Sequence, residues 1–99
     1  MPNSSAGPGV ISLVLSGSLD QYHAEELKQQ LVSAADLPGL RLDFTSVEHL
    51  DAAALQVLLA CKAGLKQEKL PILGADPSIQ LWIRMAGAEE FFDFLETNG

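Results

Sequence analysis

The chain has 99 residues, 47% of them hydrophobic, which is enough for one small domain with a single core and no second one. Its net charge of −7 argues against nucleic acid, whose phosphates need Lys and Arg to displace counterions, and against electrostatic attraction to a membrane surface. The single cysteine, Cys61, excludes an internal disulfide and suits a reducing compartment.

The first nine residues, Pro, Gly, Ser and Asn around single apolar residues, are expected to form a flexible segment, with the folded domain at 10–99. They lack the basic and apolar regions of a signal peptide. No apolar run approaches the roughly 20 residues of a membrane span, so no direct membrane insertion and a cytoplasmic location are expected. "VISLVLSG" alternates as a strand does, with Ile11, Leu13 and Leu15 on one side and Ser12, Val14 and Ser16 on the other. "SLDQYHAEELKQQLVSAA" then repeats apolar residues at helical spacing (Ala24, Leu27, Leu31, Ala34 or Ala35), with Asp20 or Ser18 available as a cap. Asp36-Leu37-Pro38-Gly39 breaks that helix.

"LRLDF" is the second strand, with Leu40, Leu42 and Phe44 opposite Arg41 and Asp43. Thr45 and Ser46 read as turn residues after it. A second helix is expected from Asp51 to about Gln67, its stripe formed by Ala54, Leu55, Leu58, Cys61 and Leu65. "LPILGAD" is a short strand. Asp76-Pro77 starts a third helix, since Asp caps and Pro at the first helical position has no N–H to leave unpaired. Ile79, Leu81 or Trp82, Ile83, and Met85 or Ala86 would form its buried side. "AEEFFDFLE" reads as a short closing helix, whose acids Glu89, Glu90, Asp93 and Glu96 form a solvated face.

The order is βαβαβα, with an optional extra strand near the N-terminus. Strands separated by helices imply parallel neighbours and right-handed crossovers. The expected fold class is therefore α/β, a single domain with a small mixed or mostly parallel sheet of about four strands and helices mainly on one face.

Little in this chain carries chemistry. "SGSLD" has one glycine and no following Lys, so it is no phosphate loop. His23 and His49 have no ligand-spaced partners, and no metal or cofactor is expected. Cys61 falls on an apolar stripe, as a packed thiol does. Glu25/Glu26 and Glu89/Glu90 are adjacent on helices and do not face each other. The chain reads as no enzyme.

The informative stretch is "LDFTSVEHLDAAALQVLLACK": a strand, a turn, an aspartate, three alanines and a helix. It resembles the STAS domain, the fold of bacterial anti-sigma factor antagonists, in which a strand reading Asp-hydrophobic-Ser/Thr-x-Val leads to Asp-Ser-Ser-Gly-Leu at a helix start. "LSGSLDQYHAEELKQQL" is similar to the family's Gly-Glu-Leu-Asp strand end and following helix. "LPILGADPSIQLWIRMAGAEEFF" is similar to its last strand, Pro-Ser helix start and Leu-x-x-x-Gly-x-x-x-Phe ending. The likeness covers roughly residues 10 to 95. The chain departs from the family in an abbreviated N-terminus.

In the resembling family, a partner kinase phosphorylates the second Ser of Asp-Ser-Ser-Gly, and the added charge of about −1.5 to −2 abolishes docking. Carried over, the first Ser is Ala52, the acceptor Ser is Ala53 and the Gly is Ala54. The resemblance thus implies a docking surface of Asp20, Asp51, Ala52, Ala53 and Ala54 with its acceptor hydroxyl lost. Thr45, Ser46 and Ser78 remain as other hydroxyls for phosphorylation. The alanines also have a plain packing explanation, because Ala is the best helix former and allows close helix–strand approach; Asp51 can be read as a cap alone.

The implied function is a bacterial signalling interaction module. Its partner would be a serine kinase or anti-sigma factor, or a chemotaxis component, the last because "LDAAALQVLLACK" is similar to small chemotaxis-associated STAS proteins. The resemblance leaves two other roles open: a cytoplasmic STAS subunit of a lipid-transporting ABC transporter, and a nucleotide- or lipid-sensing STAS domain.

Overall fold

Alternating apolar residues dictate a sheet with one covered face. In the computed structural model, which describes residues 11–34, 39–65 and 67–96, four strands form it: β1 (Ile11–Leu19), β2 (Leu40–Leu50), β3 (Leu70–Leu73) and β4 (Phe92–Leu95). Three helices connect them: α1 (Ala24–Ala34), α2 (Ala52–Gly64) and α3 (Pro77–Met85). The strands lie side by side in chain order and every described pairing is parallel. With right-handed crossovers, strands added one after another in the same direction place all the connecting helices on one face. Leu40, Leu42, Phe44, Leu70 and Ile72 are buried beneath that layer, whereas Arg41, Asp43, Pro71 and Leu73 on the opposite face are only half-buried.

One core joins both layers: Leu27 and Leu31 of α1, Ala54, Leu55 and Leu58 of α2, and Ile79 and Ile83 of α3 pack with the buried strand residues. A buried Leu, Ile or Phe contributes about 1.5–3 kcal/mol relative to exposure. None of the buried side chains among the described residues is polar. Leu81 and Met85 of α3 are exposed. Ile79 and Ile83, one turn apart, already fill the contact, and residues two positions away point elsewhere.

Three elements differ from the sequence expectation. The closing segment is not a helix: a single 3-10 turn at Glu89–Phe91 leads into strand β4. Phe92 and Phe94 pair in register with Leu70 and Ile72, and the period is two, with Phe92 buried and Asp93 exposed. The fourth described strand therefore comes from the C-terminal end; the optional N-terminal strand and the flexible segment 1–9 lie outside the described residues. α3 stops sharply because Gly87 takes φ +80 and the Gly87 and Ala88 amides donate to Arg84 and Ile83 carbonyls at 3.0 and 3.1 Å, a Schellman ending.

Second, α2 ends at Gly64 rather than near Gln67. The Gln67 side chain instead accepts from the Leu40 amide at 2.8 Å and donates to the Leu40 carbonyl at 3.1 Å, satisfying the backbone where β2 begins. Third, β2 runs on through Thr45 and Ser46 to Leu50. Its apolar spacing changes there from two to three, with Phe44, Val47 and Leu50 buried. Two register slips accommodate the extra residues: while β1 advances from Val14 to Ser16, β2 advances from Asp43 to Ser46, and the same happens between Val47 and His49. Such slips bend a strand and increase its twist. Because β3 ends level with Asp43, residues 44–50 of β2 pair with β1 alone among the described residues, and this two-strand arm carries the end of β1 and the start of α2.

Candidate functional site at the tip of the β1–β2 arm

Leu19 and Leu50 are register partners at the ends of β1 and β2, so the next residues, Asp20 and Asp51, start from adjacent points. The Asp51 amide donates to the Leu19 carbonyl at 3.0 Å, continuing the ladder to the helix start. Asp51 has extended backbone and caps α2. Its Oδ1 accepts the Ala54 amide at 3.0 Å, an N-cap bond worth about 1 kcal/mol. Its Oδ2 accepts the Gln21 amide at 2.9 Å, across 30 residues of sequence. Asp51 is thus a cap and also a clasp between the β1–α1 loop and α2.

Asp20 closes the loop from the other side. Its Oδ1 accepts from the Tyr22 amide at 3.0 Å and the His23 amide at 3.2 Å, and lies 2.7 Å from His23 Nδ1. The His23 hydrogen bond holds the Asp20 carboxyl below its ordinary range; desolvation opposes it as the next largest effect, and the His23 charge and the two amides add to the lowering. Asp20 therefore shapes the loop and does not cap α1 directly, which begins only at Ala24. Ser18, the other cap considered, lies within β1.

The structure leaves Asp20, Asp51, Ala52 and Ala53 partly or fully exposed at the tip and buries Ala54, whose amide Asp51 holds. Ala52 is exposed and Ala53 half-buried, but Ala54 is fully buried in the core. The first two alanines are accessible at this tip, and the third belongs to the helix–sheet packing. Thr45 and Ser46 are exposed, but on the bent part of β2 rather than in a turn, and the Thr45 hydroxyl donates to Asp43 Oδ1 at 2.6 Å. Ser78 lies at α3, where its hydroxyl donates to Asp76 Oδ1 at 2.7 Å. Gln21 and Tyr22 had no signal in the sequence beyond their place after Asp20: Gln21 is held by Asp51 from 30 residues away, and Tyr22 by Asp20 within the same loop.

Among the described residues no group of three or more His, Cys, Asp or Glu side chains could hold a metal ion. His49 is exposed on β2. Burial raises the pKa of the half-buried Cys61 thiol, opposite to the activation a nucleophile needs. Cys61 lines an apolar groove of about 530 Å³ between α1 and α2, with Leu31, Val32, Val57 and Ala60; this groove runs along the flank of the helices.

A family model described as "Mlab, STAS domain" matches residues 4–96. The chain belongs to the STAS domain family. The STAS fold is also that of an anti-sigma factor antagonist from Mycobacterium paratuberculosis, which superposes with a TM-score of 0.80 at 26% identity, over 92% of this chain and 80% of that one. The anti-sigma factor antagonist SpoIIAA in its unphosphorylated form shares the fold at a TM-score of 0.64 and 12% identity, over 97% of this chain and 86% of that one. No curated protein matches the chain. The STAS assignment bears out the fold class expected from sequence, an α/β domain with a mixed or mostly parallel sheet of about four strands; the described sheet has four, with every pairing parallel.

Proposed function

We propose that this STAS domain is a non-enzymatic, anti-sigma factor antagonist-like signalling module of the bacterial cytoplasm. It docks on a serine kinase or anti-sigma factor, or on a chemotaxis component, through Asp20, Asp51, Ala52 and Ala53. The usual phosphorylation switch is absent from its docking turn because Ala53 stands at the acceptor position.

The supporting observation is the geometry of Asp51. Its two oxygens hold the α2 start and the neighbouring loop at 3.0 and 2.9 Å, so the turn is rigidly formed while its exposed residues are methyl groups. A turn kept for transfer chemistry needs an acceptor hydroxyl; a turn kept for docking needs only its shape.

Restoring the acceptor tests the reading. Incubated with the partner serine kinase and ATP, the parent should carry no phosphate on peptides covering residues 51–55, whereas Ala53→Ser should gain one there, detected by mass spectrometry. Phosphate on Thr45 or Ser46 of the parent would move the switch into β2. Capture of a transporter ATPase, with no kinase or chemotaxis protein bound, would replace this reading with the transporter-subunit role.

A further inference from the structure

Tyr22 has the largest exposure among the exposed large hydrophobic side chains of the described residues, at 83%, and no contact within the fold accounts for it. Its backbone is nevertheless tightly held. Three successive amides each donate to a carboxylate: Gln21 to Asp51 Oδ2 at 2.9 Å, and Tyr22 and His23 to Asp20 Oδ1 at 3.0 and 3.2 Å. The His23 amide also reaches the Asp20 carbonyl, and the His23 carbonyl accepts the Leu27 amide, both about one hydrogen-bond length away at 3.0 and 2.9 Å. Disorder therefore does not explain the exposure of this aromatic ring.

A pinned tyrosine offers a partner large contact area at low entropic cost, since its side chain has only two torsions to fix and its loop is already ordered. Tyrosine is also among the residue types enriched where interface energy concentrates. The Gln21–Asp51 bond ties the loop directly to the helix start that carries Ala52 and Ala53.

We propose that Tyr22 is the anchoring side chain of the docking surface, with Asp51 and Asp20 as the positioning residues that present it. This rests on the reading of the α2 start as that surface. The partner is a protein with an apolar-walled pocket sized for a phenol ring. The rim of that pocket carries Lys or Arg, complementary to a chain of net charge −7.

The test is calorimetric titration into the purified serine kinase or anti-sigma partner, with circular dichroism as the folding control. Tyr22→Ala should weaken binding by about 30-fold or more, while Tyr22→Phe, which keeps the ring, should remain within about threefold. Ala53→Glu serves as the control for the surface itself. If Ala53→Glu blocks binding and Tyr22→Ala binds within threefold of the parent, the docking reading stands and the anchor role is overturned. If the parent does not bind, or Ala53→Glu binds as the parent does, the docking reading falls and the anchor role falls with it.

Asp51→Ser separates positioning from simple capping. It keeps one oxygen for the Ala54 amide and loses the second. Amide exchange at Gln21 should accelerate by about tenfold or more while α2 amides keep their protection, and affinity should drop by less than in Tyr22→Ala. Unchanged exchange at Gln21 would overturn the positioning role of Asp51.

Discussion

Two helices of this domain, α2 and α3, are N-capped by an aspartate, and they use it differently. At α3, Asp76 spends one oxygen on its own turn, accepting the Ser78 amide at 2.8 Å and the Ser78 hydroxyl at 2.7 Å. At α2, Asp51 spends one oxygen on its own turn and the other on Gln21 in the neighbouring loop. The first is a cap whose side-chain partner is Ser78 alone, two residues away. The second joins two loops at the end of the β1–β2 arm. The α3 start has a hydroxyl committed to its cap, while the α2 start has no hydroxyl and presents methyl groups. The same residue type at the same kind of helix start can therefore be a local stop signal or the keystone of a surface, and only its second oxygen distinguishes the two.

The sharpest way to break this comparison is to enlarge each alanine in turn. Ala54 is fully buried, so Ala54→Leu should overpack the helix–sheet contact and cost roughly 1–3 kcal/mol in urea denaturation. Ala52→Leu, at an exposed position, should change stability by under about 0.5 kcal/mol. Equal effects would mean that the first turn of α2 is uniformly buried or uniformly free.

The capping aspartates come next. Asp51→Ala removes an N-cap bond and the clasp to Gln21 together, for about 2 kcal/mol of stability. Asp76→Ala removes only local bonds at an exposed turn and should cost less. Denaturation midpoints of the two variants measure the difference, and a larger loss for Asp76 would contradict the clasp.

The smallest effect is the acid dependence. The Ser78 hydroxyl and then its amide hold the Asp76 carboxyl below its ordinary range, as His23 does for Asp20. A depressed folded-state pKa stabilises above the unfolded value, about 3.9 for Asp, and that contribution is lost as pH falls through the folded value. Thermal midpoints should therefore hold steady from neutral pH to about 5 and fall below about 4. Asp20→Asn and Asp76→Asn should each lower the neutral-pH midpoint and flatten the acid limb. A limb unchanged in both variants would show that these hydrogen bonds do not hold the carboxylates in solution.

The parts of the fold that repeat locally were legible in the sequence. Alternation gave the start of β2 and the covered face of the sheet, and Asp76-Pro77 gave the start of α3. Elements whose partners lie far away were not. β2 hides its last residues because two register slips against β1 change its apolar spacing from two to three, so Thr45 and Ser46 look like a turn. Phe92–Leu95 has only four residues in which to show its period of two, and becomes a strand because β3 offers it an edge. At the site, the cap position of Asp51 and the three alanines after it were readable from the sequence. The burial of Ala54 and the grip of Asp51 on Gln21 were not, because both depend on residues brought together only by folding.

The central claim is that Ala52 and Ala53 form a docking surface that tolerates small neutral groups and rejects charge. Calorimetric titration of Ala53→Ser and Ala53→Glu into the partner kinase or anti-sigma factor tests it most directly. Ala53→Ser adds one oxygen at a half-exposed site and should bind within about 0.5 kcal/mol of the parent. Ala53→Glu sets a second carboxylate beside Asp51, and like-charge repulsion with desolvation should cost about 2 kcal/mol or more of binding. Its folding should survive, because an acid is favourable in the first turn of a helix. A folded Ala53→Glu variant that binds as tightly as the parent would contradict the account and leave the three alanines as packing alone.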